Sequence, residues 1–570
     1  MQEHDVPPED GWASDALHAE TLLQQEQERP TFSRVLRGLG AAAFLLAVFV
    51  AGSVGGADVG DRVVTARAVA LESRGSAVDT AVEPGPPVVR LDDPVPVAAT
   101  DAPRFEERVC PDGPRPGARC GYLDVPESRS ATDGRRVRIA VSIREADPDA
   151  RAPGVPRRAV VVLSGGPGVP LLPGALAYQH GRALGARDVD VVVLDQRGSG
   201  RSVPTLACRG VGIGVSEPSP TDAEQIDCVA RNWLLGVDLL AFSTRESVAD
   251  VADLRLALGY DELDLVGLSY GSRLALAVVR DHPEVVRSIV LAGVYPPDAP
   301  DLSPALSVAR VVIELDDVCD RQPDCRATFG PLEPLLLSAM ARAAEDGGPE
   351  LVGMLTGALF VDAYWVEGLV NVPRALAAAA EGDWEAVRRS LPDLPDHIAV
   401  LPKGPAPATG PSVEQESLGL FESVICSDWD GQFIRDPADP PLRERLAAAG
   451  AVPAHLELLD QGRDSSFGLP FCHMRGIFDP IAGPRSAVES DVPALVLSGR
   501  FDPTTPPRLG DLAARTLSRS HVVVAPHLAH GLITVDDCVD GIVAEFLARP
   551  DAMPSVACLD TMPFPVIALP

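Results

Sequence analysis

Apolar and polar positions along this chain fall into short hydrophobic runs separated by longer amphipathic stretches. "RAVVVLSGGPG" (Arg158 to Gly168) is a run of mostly β-branched residues ending on a glycine turn, and "VDVVVLDQRGSGRS" (Val189 to Ser202) repeats the design. Runs of this length, bounded by glycine, predict strands covered on both faces. Val251, Leu254 and Leu258 then recur at helical spacing, behind a Ser243/Glu246 pair spaced as a capping box. "LDLVGLSYGSRLAL" (Leu263 to Leu276) passes from a strand-like run to a helix-like one, and "RSIVLAGVYPP" (Arg287 to Pro297) predicts another strand. Strands alternating with helices point to a parallel α/β sheet.

From about Asp298 to Ser490 the rhythm breaks into Ala/Leu/Pro-rich, helix-like sequence. It resumes at "VPALVLSGRFDPTTPP" (Val492 to Pro507) and "HVVVAPHLAHG" (His521 to Gly531), and closes on a helix, "CVDGIVAEFLARP". The simplest organisation is one sheet built from residues 105–297 and 491–570, interrupted by a large, mainly helical lid at 298–490. Residues 58–104 are rich in Pro, Ala, Val and Asp, the composition of an extended stalk. "GLGAAAFLLAVFVAGSVGGA" (Gly38 to Ala57) is uncharged and long enough to cross a hydrocarbon core of about 30 Å. Arg29, Arg34 and Arg37 precede it, which places residues 1–37 in the cytoplasm and makes 38–57 a transmembrane signal-anchor. Membrane attachment is therefore expected through this one N-terminal helix, with the globular part extracytoplasmic. Cleavage near Ala51 to Ala57, giving a secreted protein, is the alternative.

Charge and cysteine usage narrow the picture. The formal net charge of −32 argues against nucleic acid as a partner, because phosphate binding needs a basic face. The ten cysteines are Cys110, Cys120, Cys208, Cys228, Cys319, Cys325, Cys426, Cys472, Cys538 and Cys558. Their number is even, close neighbours recur, and no pair has metal-ligand spacing. Such usage predicts disulfides in an oxidising compartment; the sequence leaves their connectivity open, with pairing between sequence neighbours the preferred arrangement.

The chemistry centres on Ser269. It lies between Gly267 and Gly271 where a strand becomes a helix, as a nucleophile elbow requires. A serine hydroxyl needs a base and an orienting carboxylate, expected downstream in the order Ser, Asp, His. Asp502 follows the strand "ALVLSG" and is the candidate carboxylate. Of the histidines near the last strand, His521 opens it, whereas His527 and His530 follow it; His530, next to Gly531, is preferred as base. An oxyanion hole is expected from the backbone N–H of Tyr270 and from "SGGPG", with Gly165 as the first choice of donor and Gly166 the second. No metal or organic cofactor is called for.

With these pieces together, the chain resembles the α/β-hydrolase fold. Within that fold it is similar to the prolyl aminopeptidase and tripeptidyl aminopeptidase family of serine peptidases. The matching residues are "GGPG" at 165–168, "DQRGSGRS" at 195–202, "GLSYGS" at 267–272, "DPTTP" at 502–506 and "HG" at 530–531, and the tail with Cys538 and Cys558 resembles secreted members. The resemblance implies release of single residues or short peptides from a free N-terminus, with the lid limiting substrate length. "FESVICSDWD" (Phe421 to Asp430) looks like a lid segment whose acidic residues meet the substrate amine, which makes Glu422 and Asp428 candidate substrate-binding residues. Two departures stand out: Ser164 replaces the His usual before "GGPG", and "FCHMRG" around Cys472 lacks an expected tryptophan.

The expected function is an exopeptidase acting on peptides. A carboxylesterase taking small esters on the same residues is the first rival, and a catalytically silent envelope-binding protein is the second. The topology is directly testable. A reporter active only outside the cytoplasm is expected to give signal when fused after Arg62 and none when fused before Thr31; the reverse pattern contradicts the anchor.

Overall fold

A computed structural model describes residues 102–569, except 111–116, 132–133, 148, 150–154, 173–183, 185–187, 209–221, 301–303, 392–415, 429–439, 452–485 and 564. Its sheet opens with three antiparallel strands, β1 (Arg104–Arg108), β2 (Ala118–Pro126) and β3 (Arg136–Arg144). The parallel part follows: β4 (Arg158–Leu163), β5 (Asp190–Leu194), β6 (Glu262–Leu268), β7 (Val286–Ala292), β8 (Ala494–Gly499) and β9 (Ser520–Ala525). The order across the sheet is β1-β2-β3-β5-β4-β6-β7-β8-β9, with β3 antiparallel to β5. Val160 to Leu163, Val191 to Val193 and Ala494 to Val496 are fully buried, as strands covered on both faces must be.

Crossovers between parallel strands leave every βα loop at one end of the sheet, which is where β4, β6, β8 and β9 deliver the candidate residues. Helices α1 (Asp222–Leu234), α2 (Thr244–Leu258) and α3 (Tyr270–Asp281) precede the lid. At the start of α2 the expected capping box does not form. Ser243 makes no side-chain cap, and the Glu246 carboxylate instead accepts from the Arg129 N–H and guanidinium at 3.1 and 2.7 Å.

The lid contains α4 (Pro304–Asp320), α5 (Pro323–Phe329), α6 (Leu332–Asp362, broken at Gly348), α7 (Val366–Leu369), α8 (Val372–Glu381) and α9 (Trp384–Ser390). These helices have their own apolar core, which Phe501 and Ala529, from the loops after β8 and β9, and Ile567 of the tail join. The segment expected as one lid is not uniform. Helix α10 (Leu418–Asp428) packs Leu420, Val424 and Ile425 into the core of the sheet, not that of the lid. Its sequence is apolar on nearly all sides, and such a helix is stable only when covered all round. Helix α11 (Pro440–Ala448) returns to the lid, packing Leu442 and Leu446 there. Helices α12 (Pro507–Ala514) and α13 (Asp537–Ala548) complete the second part of the core.

Sequence neighbours form the disulfides Cys110–Cys120, Cys208–Cys228, Cys319–Cys325 and Cys538–Cys558. Cys426 is also disulfide-bonded, while Cys472 lies outside the described residues. So do the tail, the apolar run and the stalk, 1–37, 38–57 and most of 58–104. Among the described residues no helix is long and apolar enough to cross a membrane.

Candidate active site

Strand β6 reaches α3 through Ser269, whose φ of 55° and ψ of −122° lie where side chains are strained. The turn is forced by packing. A Cβ on Gly267 would sit 2.3 Å from the Gly271 carbonyl oxygen, and one on Gly271 would sit 2.1 Å from that of Leu163. Only glycine fits either flank, so the chain can pass between β4 and its own helix. A strain of about 1–3 kcal/mol is typical of such a backbone, and local hydrogen bonds offset it. The Ser269 N–H donates to the Ala292 carbonyl at 2.8 Å, and the Ser272 hydroxyl donates to the Ser269 carbonyl at 2.5 Å.

Asp502 follows β8 and is buried. Its Oδ1 accepts from the Thr504 and Thr505 N–H groups at 2.8 and 2.7 Å, and its Oδ2 accepts from the Thr505 hydroxyl at 2.6 Å. Oδ2 also lies 2.8 Å from Nδ1 of His530. Burial alone pushes the Asp502 carboxyl up; the charge and hydrogen bond of His530 and the donors of Thr505 outweigh it and hold the group below its ordinary value. An ionised carboxylate accepts only, so Nδ1 carries the proton toward it and Nε2 is left as an acceptor.

His530 is fixed from the lid as well. Its N–H donates to the Tyr364 carbonyl at 3.1 Å, and the two rings lie 4.5 Å apart at 53°. Burial, then the charges of Asp502 and Glu416, raise the Tyr364 phenol, so it stays protonated beside the imidazole. The alternative base, His527, is buried against Met562 and Pro563 and does not line the same space.

Ser269 and His530 share a cavity of about 670 Å³ with Gly165 and Gly166. A Cβ on Gly165 would lie 3.0 Å from Cβ of Ser269, so this backbone stands directly over the serine. Tyr270 is the first residue of α3, where a helical N–H has no partner within the helix. The Tyr270 ring points the other way, its hydroxyl 2.5 Å from that of Thr244.

Glu422 and Asp428 are not brought to this cavity, which corrects their assignment as substrate-binding residues. Asp428 is buried beneath the elbow helix, accepting from the Thr244 hydroxyl and 3.9 Å from Nε of Arg273. Glu422 is fully buried on α10, and neither of its carboxylate oxygens has a hydrogen-bond partner among the described residues. Their assignment rests on a resemblance in a short segment, and the immersion of α10 in the core turns them away. The carboxylates that do line the cavity are Asp362, Glu367 and Glu416. Sequence reasoning missed them, and also Tyr364, Trp365 and Thr505. Thr505 had a signal, since a hydroxyl three residues after an Asp before proline commonly closes back on that carboxylate. Tyr364 and Trp365 had only a weak one, adjacent aromatics in an alanine-rich stretch.

The fold is that of the α/β hydrolases, and the site sets a serine, an imidazole and a buried carboxylate at one end of its sheet. Residues 158–314 match the family described as "alpha/beta hydrolase fold", and 468–558 match "TAP-like protein". The chain is 27% identical over 198 residues to the putative hydrolase YuaR of Escherichia coli K12, covering 33% of this chain and 38% of that protein. It is 27% identical over 214 residues to the serine protease Hip1 of Mycobacterium tuberculosis, covering 34% and 39%. A tripeptidyl aminopeptidase of Streptomyces lividans is 26% identical over 369 residues, covering 58% and 65%. The chain is thus similar to α/β-hydrolase-fold proteins that include named peptidases, and its matches to the first two span only about two-fifths of their length.

Glu422 gives a prediction with a definite sign. Burial raises its carboxyl from an ordinary 4.5 to about 8. The folded protein then binds the extra proton between those values, so stability is fully present below 4.5 and falls as pH rises through 8. In thermal melts, Glu422→Gln is expected to gain stability relative to wild type as pH goes from 4.5 to 8. A difference that does not change with pH contradicts the buried, unpartnered carboxyl.

Proposed function

We propose that this protein is an extracytoplasmic serine exopeptidase that releases residues or short peptides from a free N-terminus. The observation that carries this reading is the composition of the cavity. Among the described residues that line it, the charged ones apart from His530 are the carboxylates Asp362, Glu367 and Glu416. Apolar walls from Val169, Leu171, Leu268, Leu532 and Ile533 lead down to Ser269. A peptide entering by its protonated amine has its charge met by the carboxylates and its side chains by the walls. Lid residues Val361, Trp365 and Gly368 also line the space, which favours a chain end over an internal loop. The disulfides support an oxidising compartment.

In this mechanism the Ser269 Oγ attacks the scissile carbonyl while Nε2 of His530 takes its proton. Asp502 holds the imidazole in the required tautomer and stabilises the imidazolium. The Gly165 and Tyr270 N–H groups receive the oxyanion, where one donor is commonly worth on the order of 10²–10³ in turnover. His530 returns the proton to the leaving amine, and water then repeats the sequence on the acyl-enzyme.

The apolar walls also favour a second reading, hydrolysis of small acyl esters, and substrate comparison separates the two. Tri- and tetrapeptide anilides with free N-termini are expected to be cleaved roughly 10- to 100-fold better than their acetylated forms, the range set by losing a hydrogen bond to a charged group. Glu416→Gln is expected to raise KM for the free peptides with little change in kcat. Equal cleavage of blocked peptides, or turnover of esters alone, contradicts the exopeptidase reading.

A further inference from the structure

The string "DQRGSGRS" takes no part in the chemistry above, yet its first residues are among the most deeply buried polar groups in the molecule. Asp195 is fully buried and Gln196 nearly so. Asp195 Oδ1 accepts from the Leu171 and Leu172 N–H groups at 2.7 and 3.0 Å, and Oδ2 accepts from the Arg201 N–H at 2.8 Å. Gln196 Nε2 donates to the Ser164 carbonyl at 2.9 Å. Two adjacent side chains therefore grip both ends of the segment from Ser164 to Leu172, which includes the glycines over Ser269.

The rest of the string fixes that grip. Arg197 forks onto Asp250 at 2.8 and 2.6 Å and onto the Glu127 and Ala241 carbonyls at 2.6 Å each. A Cβ on Gly200 would lie 2.2 Å from Oδ2 of Asp195, so any side chain there dislodges the carboxylate. The Ser202 hydroxyl donates to the Asp195 carbonyl at 2.7 Å.

The bond from Gln196 has a geometric consequence. The Ser164 carbonyl and the Gly165 N–H belong to one peptide group, which is not among the cis bonds. A planar trans peptide points these two groups in opposite directions. Holding the oxygen therefore sets the direction of the N–H, and a hydrogen bond at the oxygen also strengthens the N–H as a donor. We propose that Gln196 is the positioning residue of the oxyanion hole, aiming the Gly165 N–H at the oxygen of the carbonyl under attack by Ser269. The Gln196 Oε1 has no hydrogen-bond partner among the described residues. The amide is thus held by what it donates. Ser164 adds a second tether, its hydroxyl donating to the Val169 carbonyl at 2.6 Å.

This inference rests on the serine-hydrolase reading, and an alkyl fluorophosphonate separates the two without needing a substrate. In the reaction the Ser269 oxygen–phosphorus bond forms, the phosphorus–fluorine bond breaks, fluoride leaves, and the serine proton passes to His530. The phosphoryl oxygen then occupies the oxyanion hole. For the full chain, Gln196→Leu is expected to lower kinact by roughly 10- to 100-fold, part of the value of a whole donor, while KI stays within about twofold. Wild-type kinact in this variant, or a loss carried wholly by KI, overturns the inference. Gln196→Glu keeps the shape and provides the second arm should the leucine variant not fold. Its ionised carboxylate cannot donate to Ser164, so labelling is expected to be slow at pH 8 and to recover, relative to wild type at each pH, as acid restores the O–H donor. A Gln196→Glu protein that tracks wild type at every pH overturns the inference as well. A wild-type protein that is folded but never labelled overturns the serine-hydrolase reading first, and the inference with it.

Discussion

Asp502 keeps a negative charge where water does not reach it, and much of the site is arranged around that constraint. A buried carboxylate costs several kcal/mol unless donors surround it. Here the Thr504 and Thr505 N–H groups, the Thr505 hydroxyl and His530 provide them within 2.8 Å. Those donors come from two separate loops, after β8 and after β9. The charge therefore ties together the two strand ends that must meet Ser269, itself delivered by β6. Without the sheet bringing these loops to one edge, the carboxylate would take up a proton and the imidazole would lose its orientation.

The lid is part of this arrangement as much as a cover. Tyr364 receives the His530 N–H on its carbonyl and lays its ring beside the imidazole. The tail closes the same circuit from below. Gln322 donates to the Pro565 carbonyl and accepts from the Ile567 N–H, and the Ala568 N–H donates to the Val370 carbonyl. Helix α10 shows that the insertion is threaded through the core. The Ser417 N–H donates to the Gly168 carbonyl and its hydroxyl to the Gly198 carbonyl, beside the loops that carry Gly165 and Gln196. A shift of the lid is thus felt at the imidazole and at the glycine loop.

The local part of this site was legible in the sequence because steric demands act over a few residues. Gly267 and Gly271 stand where no Cβ fits, and Gly200 stands against Asp195 for the same reason. The strands of the parallel sheet were legible because burial on both faces demands continuous apolar runs. The first three strands carry a fainter signal: "RVRIAVSIR" alternates polar and apolar positions, and the structure buries Val137, Ile139, Val141 and Ile143. What could not be read was the assignment of acidic residues in the lid. Glu422 and Glu416 are six positions apart, yet the first faces a packed core and the second a cavity. That difference is set by how α10 docks, a contact between segments more than a hundred residues apart.

The central claim is that Ser269, His530 and Asp502 act as one unit to form and resolve a covalent intermediate. Its most direct test is rapid-quench mass spectrometry during turnover of an activated acyl substrate. The account predicts a transient acyl adduct on the tryptic peptide containing Ser269, absent in Ser269→Ala and strongly depleted in His530→Gln. An adduct on another residue, or turnover that survives in Ser269→Ala at the wild-type rate, contradicts it.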